Sequence, residues 1–243
     1  MIKATPFIFI TLWCSVAFAA ESDINWVTKS NGYSQPVLEL RAKYDPEGAG
    51  RRGVDGYDEA ILDLRPNVYE RRREDTRTAV SELEKLLRSE PHPKVRQDLQ
   101  ILIQVLNDRL TSDELNRRLM LPYFDVSATA FLGIRSLLNA NVDKSRHAAA
   151  VVRLTKYAGL STGDEPITEL AKARIRERFD VAGLVGPYRR QVRRDLANSE
   201  QYLKGISDLM HSHGMEGWEI AHQKMVEQKL ARIIRRPVFM DVL

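Results

Sequence analysis

Apolar residues recur at helical spacing along most of this 243-residue chain, and this periodicity constrains its fold more than any other feature. One such stripe comprises Val95, Leu99, Leu102, Leu106 and Leu110. No segment combines apolar alternation with the β-branched enrichment that is typical of a strand. The sequence therefore predicts an all-α protein, an irregular bundle of about eight helices with long helices near its C-terminus and no significant sheet.

The chain divides into four predicted parts. They are a signal peptide at 1–20, a flexible or loop-rich lead-in at 21–56, a helical domain at 57–228 and a divergent tail at 229–243. The lead-in contains SNGYSQP at 30–36 and the glycine-dense EGAGRRGVDG at 47–56, and both compositions are typical of loops.

Helices in the first half of the domain are separated by proline and capping signals. One helix is predicted at 66–89, where the sequence SEPHP stops it. The next carries Ile101 and Val105 beside its main apolar stripe, which predicts burial on more than one side. Thr111 followed by Glu114 has the spacing of a capping box and predicts that a separate short helix starts there.

Glycine, proline and capping signals also separate the helices in the second half of the domain. Two helices are predicted at 127–139 and 144–157, the latter closed by Gly159. Thr162 and Glu165 repeat the capping-box spacing and predict a helix start. Gly183 and Gly186 are expected to break that helix, and Pro187 to begin the longest one.

The first twenty residues have the pattern of a secretory signal. Lys3 precedes an apolar run at 7–16, and the small residues Ala17 and Ala19 predict cleavage after Ala19 or Ala20. An uncleaved membrane anchor is the alternative, although the apolar run is short for a bilayer span. Since the single cysteine, Cys14, lies inside this segment, the mature chain would have no disulfide, and we expect a periplasmic or secreted bacterial protein without stable membrane insertion.

The charge balance argues against nucleic acid as a partner. The formal net charge is +4, and the arginine clusters alternate with acidic residues and lack an interleaved aromatic platform. A solvated helix face explains such clusters, so nucleic acid is not expected as a partner.

The segment HSHGMEGWEIAH at 211–222 is the most metal-like stretch of the chain. It holds His211, His213, Glu216, Glu219 and His222, and histidine with glutamate at close spacing is what a zinc-activated water needs. The alternative is structural: two imidazoles at the end of one helix can donate to its last carbonyls, and a glycine caps that helix. In the next helix, the glutamate and histidine three residues apart could pair without a metal.

Two weaker candidates lie elsewhere. The acidic residues Asp164, Glu165 and Glu169 could act as acid and base, although acids in a first helical turn also complement the helix dipole. The loop PYFDV at 122–126 carries two aromatic rings and Asp125, and it could line a pocket or cover the core. Neither pattern is specific enough to assign a catalytic, cofactor-binding or metal-binding residue.

Five segments in order carry a family resemblance: RQDLQILIQVLNDRL (96–110), LNRRLMLPYFDVSATAFLGIRSLL (115–138), RLTKYAGL (153–160), PITELAKARIRERF (166–179) and LVGPYRRQVRRDLANSEQYLKGISDLM (184–210). Together they resemble the N-terminal half of an exported, mostly helical bacterial family catalogued as domain of unknown function 885. The most specific pieces are LPYFDV and GPYRRQVRRDLANSEQYLKGI.

The resemblance implies a protein similar to zinc-dependent peptidases, whose His-Glu zinc motif lies in the C-terminal half of the family. This chain contains no His-Glu dipeptide, so no zinc ligand is carried over and no cofactor is expected in it. We expect a cleft-covering helical half that is truncated and inactive alone, so its status as an enzyme stays open. A non-catalytic peptide- or protein-binding module is one alternative, and a metal-dependent hydrolase using the 211–222 segment is another.

Overall fold

A computed structural model describes residues 17–52, 54–120, 122–177 and 185–228. Eight α-helices run through these residues: α1 (Ala17–Tyr44), α2 (Val68–Ser89), α3 (Pro93–Leu119), α4 (Val126–Leu137), α5 (Ala148–Tyr157), α6 (Ile167–Arg176), α7 (Val185–Ser212) and α8 (Glu219–Glu227). The described residues contain no β-strand. The all-α prediction is therefore confirmed.

Helix α1 overturns the prediction of a loop at 30–36. It continues through that segment because Trp26, Tyr33 and Val37 pack against the apolar cluster between α2 and α3. Pro36 costs one backbone hydrogen-bond donor inside the helix. The burial of aromatic and aliphatic side chains outweighs this loss, as tertiary packing commonly outweighs local propensity.

Helices α2 and α3 are joined by a three-residue connection, Glu90–His92, and Pro93 starts α3 in the position where its missing N–H costs nothing. Their shared cluster is built on the buried residues Val80, Leu83, Val95, Leu99 and Leu106. The prediction that α3 is buried on more than one side is wrong, because Ile101 and Val105 are 52% and 54% exposed.

The separate helix predicted at Thr111 is also absent. Helix α3 runs without interruption to Leu119, and the Thr111 hydroxyl donates to the Asn107 carbonyl one turn back instead of capping a new start. Contacts across to α2 hold the extension in place, because Asp113 accepts from Arg72 at 3.0 Å and Glu114 accepts from the Tyr69 hydroxyl at 2.6 Å.

Helices α4, α5, α6, α7 and α8 enclose the main core. Its fully buried centre includes Ala130, Ile134, Leu154, Tyr157, Ile206 and Met210. The predicted start at Thr162 is wrong, since α6 begins at Ile167 after Pro166 and has no side-chain cap. Helix α7 begins at Val185, so it includes Gly186, which was predicted to break a helix.

The connection between α1 and α2 contains two single 3-10 turns, Pro46–Gly48 and Gly50–Arg52. Ala49 and Val54 pack there with Ala42 of α1 into a small third cluster. Within the described part of the chain, no helix combines the length and apolar character that crossing a bilayer requires. The predictions for 1–16, for Gly183 and for the tail at 229–243 concern residues outside those described.

Candidate functional site

The histidines at the end of α7 serve as helix caps. The Nδ1 atoms of His211 and His213 lie 3.0 Å and 2.9 Å from the carbonyl oxygens of Ser207 and Leu209, respectively. Because a carbonyl oxygen only accepts, each ring carries its proton on Nδ1 in these contacts. Gly214 follows with φ of +62°. The predicted helix end, with imidazoles donating to its last carbonyls and glycine as the cap, is confirmed.

Trp218 and His222 connect α7 to α8. The Nε2 of His222 donates to the Leu203 carbonyl across the helix pair at 2.8 Å, rather than pairing with Glu219. The buried Trp218 indole donates to the Met215 carbonyl at 3.1 Å. Its ring meets His211 and His222 edge to face, with centroids 4.9 Å and 5.4 Å apart. The segment is thus an aromatic junction between two helices.

This junction does not have the geometry of a metal centre. Among the residues that the structure describes, no three His, Cys, Asp or Glu side chains are grouped so that they could hold an ion. His213 instead contacts the ring of His147, whose centroid is 5.5 Å away. His147 lies before α5, far away in sequence, and so could not be associated with the cluster from spacing. The contacts of these histidines with backbone carbonyls therefore favour the structural interpretation of the 211–222 segment over the metal alternative.

A cleft of about 640 Å³ lies between α2, α3 and α6. Its walls are the start of α2, the end of α3, the segment 122–124 and the end of α6. The apolar part of the surface comes from Val68, Met120, Pro122, Tyr123 and Phe124. A cleft of this size is within the range of sites that bind small molecules or short peptide segments.

Ion pairs surround the apolar surface of the cleft. Arg72 donates to Asp113 at 3.0 Å, Arg174 contacts Glu177 at 2.7 Å, and Arg117 pairs with Glu70. The Arg117 guanidinium also lies over the Tyr69 ring, 4.3 Å from its centroid. Each arginine has a carboxylate partner, so the cleft presents matched polar groups around an apolar floor rather than a net charge.

The PYFDV segment both packs on the core and lines the cleft, so the two interpretations of its sequence hold together. Tyr123 and Phe124 pack against the main apolar cluster. Asp125 caps α4 by accepting from the Ala128 N–H at 3.0 Å. Burial and the nearby Asp195 raise the pKa of the Asp125 carboxyl. The aromatic residues are thereby fixed between a capped helix and the end of α3.

Of the three acidic residues near the start of α6, Glu169 has a structural role. Glu169 lies in the first turn and pairs with Lys172 on the same helix, which is the arrangement expected from the helix dipole and side-chain spacing. Asp164 and Glu165 are exposed and precede the helix.

Comparison of the chain with protein-family models, curated proteins and solved structures gave no match. The resemblance to the domain of unknown function 885 family accordingly stays a prediction.

Proposed function

We propose that this chain is a non-catalytic helical module that binds an extended peptide segment in the cleft between α2, α3 and α6. The observation that carries this proposal is the 640 Å³ cleft with an apolar floor and a rim of ion pairs. A peptide bound there would place an apolar side chain on Met120, Tyr123 and Phe124. Its backbone amides would meet the polar rim, where carboxylates accept and guanidinium groups donate.

The position of the cleft agrees with the family resemblance. LPYFDV is one of the two most specific pieces of that resemblance, and its residues Pro122, Tyr123 and Phe124 line the cleft. We therefore propose that the module corresponds to the substrate-covering half of an exported zinc-peptidase-like protein, without catalytic activity of its own. The sequence pattern at 1–20 supports a periplasmic or secreted location.

Fluorescence anisotropy with dye-labelled hexapeptides tests the binding proposal. One peptide carries a central leucine, and its matched control carries aspartate at the same position. The leucine peptide is expected to bind saturably and the aspartate peptide to bind more weakly, because the cleft floor is apolar and has no cation without a carboxylate partner.

A pair of variants, one directly after α3 and one within it, locates the site. Met120→Glu places a charge at the cleft floor and is expected to weaken leucine-peptide binding about tenfold or more. Val105→Glu changes another exposed apolar residue, which lies on α3 and does not line the cleft, and this variant should bind the peptide as the unmodified protein does. Absence of saturable binding, or an equal loss in both variants, would overturn the proposal.

A further inference from the structure

A second cavity, of about 450 Å³, lies between α4, α5 and the segment that follows α1. Leu132, Ser136 and Leu137 of α4 form one wall, and the 3-10 turns that follow α1 form another. Arg153 of α5 also lines it. This cavity shares no lining residue with the peptide cleft, so its function can be considered separately.

Arg153 is a buried cation without a carboxylate in hydrogen-bond contact. It is 1% exposed. Its Nη1 donates to the Gly133 carbonyl at 2.9 Å and to the Ser136 hydroxyl at 3.4 Å, and its Nη2 donates to the Tyr57 carbonyl at 2.7 Å. These acceptors are all neutral. The buried Nε has no acceptor at all. A guanidinium stays charged, so Arg153 brings a positive charge to this wall of the cavity.

The two carboxylates that line the cavity accept hydrogen bonds from residues other than Arg153, Glu47 through its Oε1 and Asp58 through both oxygens. Glu47 accepts from the Tyr157 hydroxyl at 2.7 Å and from the Leu62 N–H at 2.8 Å. Asp58 accepts from the Nε and Nη2 of Arg146 at 2.7 Å and 2.6 Å, which is a bidentate pair. Neither carboxylate accepts a hydrogen bond from Arg153, although the charges of Asp58 and Arg153 attract each other at a distance. A buried charge without a hydrogen-bonded carboxylate is costly unless something else binds it.

Arg135 adds a second cation to the same cavity. It lies on α4, it is exposed, and it makes no hydrogen bond or ion pair within the residues described. The lining thus holds three arginines (Arg135, Arg146 and Arg153) against two acids (Glu47 and Asp58), an excess of one positive charge. The side-chain amides of Asn139 and Asn141 lie at the same surface and can donate as well.

We propose that this cavity binds a small organic carboxylate. Arg135 and Arg153 supply the positive charge for the carboxylate group, and Leu132, Leu137 and Val142 supply apolar surface for its carbon skeleton. A planar carboxylate suits guanidinium donors, and the apolar part of the lining favours an organic acid over an inorganic anion. The volume is within the range of ordinary small-molecule sites.

Calorimetric titration and thermal unfolding of the full chain test this site. The probes are benzoate, butyrate and inorganic phosphate at constant ionic strength, with sodium chloride as the reference. Benzoate or butyrate is expected to bind one per chain and to raise the melting temperature with concentration, because a ligand that binds only the folded protein stabilises it. Phosphate is expected to behave as chloride does.

The test uses variants of exposed residues. Substitution of the buried Arg153 would also remove its hydrogen bonds to Gly133, Ser136 and Tyr57 and so would change the stability of the fold. Arg135→Gln is expected to weaken carboxylate binding about tenfold or more, with the melting temperature of the unliganded protein unchanged. Leu132→Trp, which fills the cavity from an exposed position, should also weaken it. Arg88→Gln changes an exposed arginine on α2 and should have no effect.

The proposal is overturned if neither organic acid binds saturably, if phosphate binds as tightly as benzoate, or if Arg135→Gln and Arg88→Gln bind benzoate equally. The variant Met120→Glu, which alters the peptide cleft, should leave benzoate binding intact. Failure of one site is therefore distinguishable from failure of the other.

Discussion

Gly159 is the position where a single added methyl group should be most costly. It follows α5 with φ of +70°, a left-handed conformation that favours glycine. Its N–H donates to the Lys156 carbonyl at 3.0 Å, and the Leu160 N–H donates to the Thr155 carbonyl at 3.0 Å, so the glycine closes the helix. A Cβ here would lie 2.4 Å from the backbone nitrogen of Pro166 and 2.6 Å from its Cδ.

Gly159→Ala therefore combines two costs. The left-handed conformation costs a residue with a side chain about 1–2 kcal/mol. Overpacking against neighbours that cannot move freely adds about 1–3 kcal/mol. Pro166 directly precedes α6, so relief of the contact would displace the start of that helix. The expected loss in the free energy of unfolding is the sum, about 2–5 kcal/mol.

Gly163→Ala is the matched control, because Gly163 has φ of +83° and nothing within 4 Å of an added Cβ. It should lose only the conformational part, about 1–2 kcal/mol. Urea unfolding followed by circular dichroism measures both variants, with equal m-values as the condition for comparing them. Equal losses for the two alanines would refute the reasoning about the close approach to Pro166.

Two carboxylates and the histidine junction provide further tests. Burial raises the pKa of Asp63, but hydrogen bonds from Arg65 and Arg71 outweigh it and lower that pKa to about 2. The stabilisation from these bonds is therefore present above the ordinary carboxyl pKa and is lost in acid. Asp63→Asn should lower the free energy of unfolding by about 1–2 kcal/mol at pH 7. Urea titrations should show this loss shrinking between about pH 5 and pH 2, and a constant loss would contradict the reasoning. Asp125→Ala removes the acceptor of the Ala128 N–H and should lower the free energy of unfolding by about 1 kcal/mol in urea. Asp125→Asn keeps a capping oxygen and should lose less. Equal losses in the two variants would count against the cap. Excess EDTA should leave the melting temperature unchanged, because the imidazoles at the end of α7 and on α8 donate to backbone carbonyls. A fall in melting temperature that added zinc reverses would instead support the metal alternative.

Helix ends with strong local signals could be predicted from the sequence. The glycine caps at Gly159 and Gly214 follow their helices as expected, since a left-handed residue after the last turn is a local requirement. The predicted loop at 30–36 and the predicted start at Thr111 failed for the opposite reason. Tyr33 and Asp113 are held by residues far away in sequence, and these contacts outweigh local turn and capping preferences.

Neither cavity could be predicted from the spacing of residues in the sequence. The peptide cleft assembles residues from four separate segments, and of these only PYFDV had been marked as a possible pocket lining. Arg153 appears in the sequence as one arginine of an amphipathic helix, and its burial depends on α4 and on the chain near Tyr57. A buried arginine among apolar neighbours leaves no periodic signal beyond a polar residue on an apolar face.

The separation of the apolar clusters has a consequence for how binding and unfolding are linked. Helices α2 and α3 share one cluster, whereas Tyr123 and Phe124 pack on the main core, so the walls of the peptide cleft belong to two parts of the chain with separate apolar clusters. Units of this kind can open at different free energies in native-state hydrogen exchange. A peptide held between them would raise the cost of opening either one, so it would act as a cross-link that makes the two units unfold together.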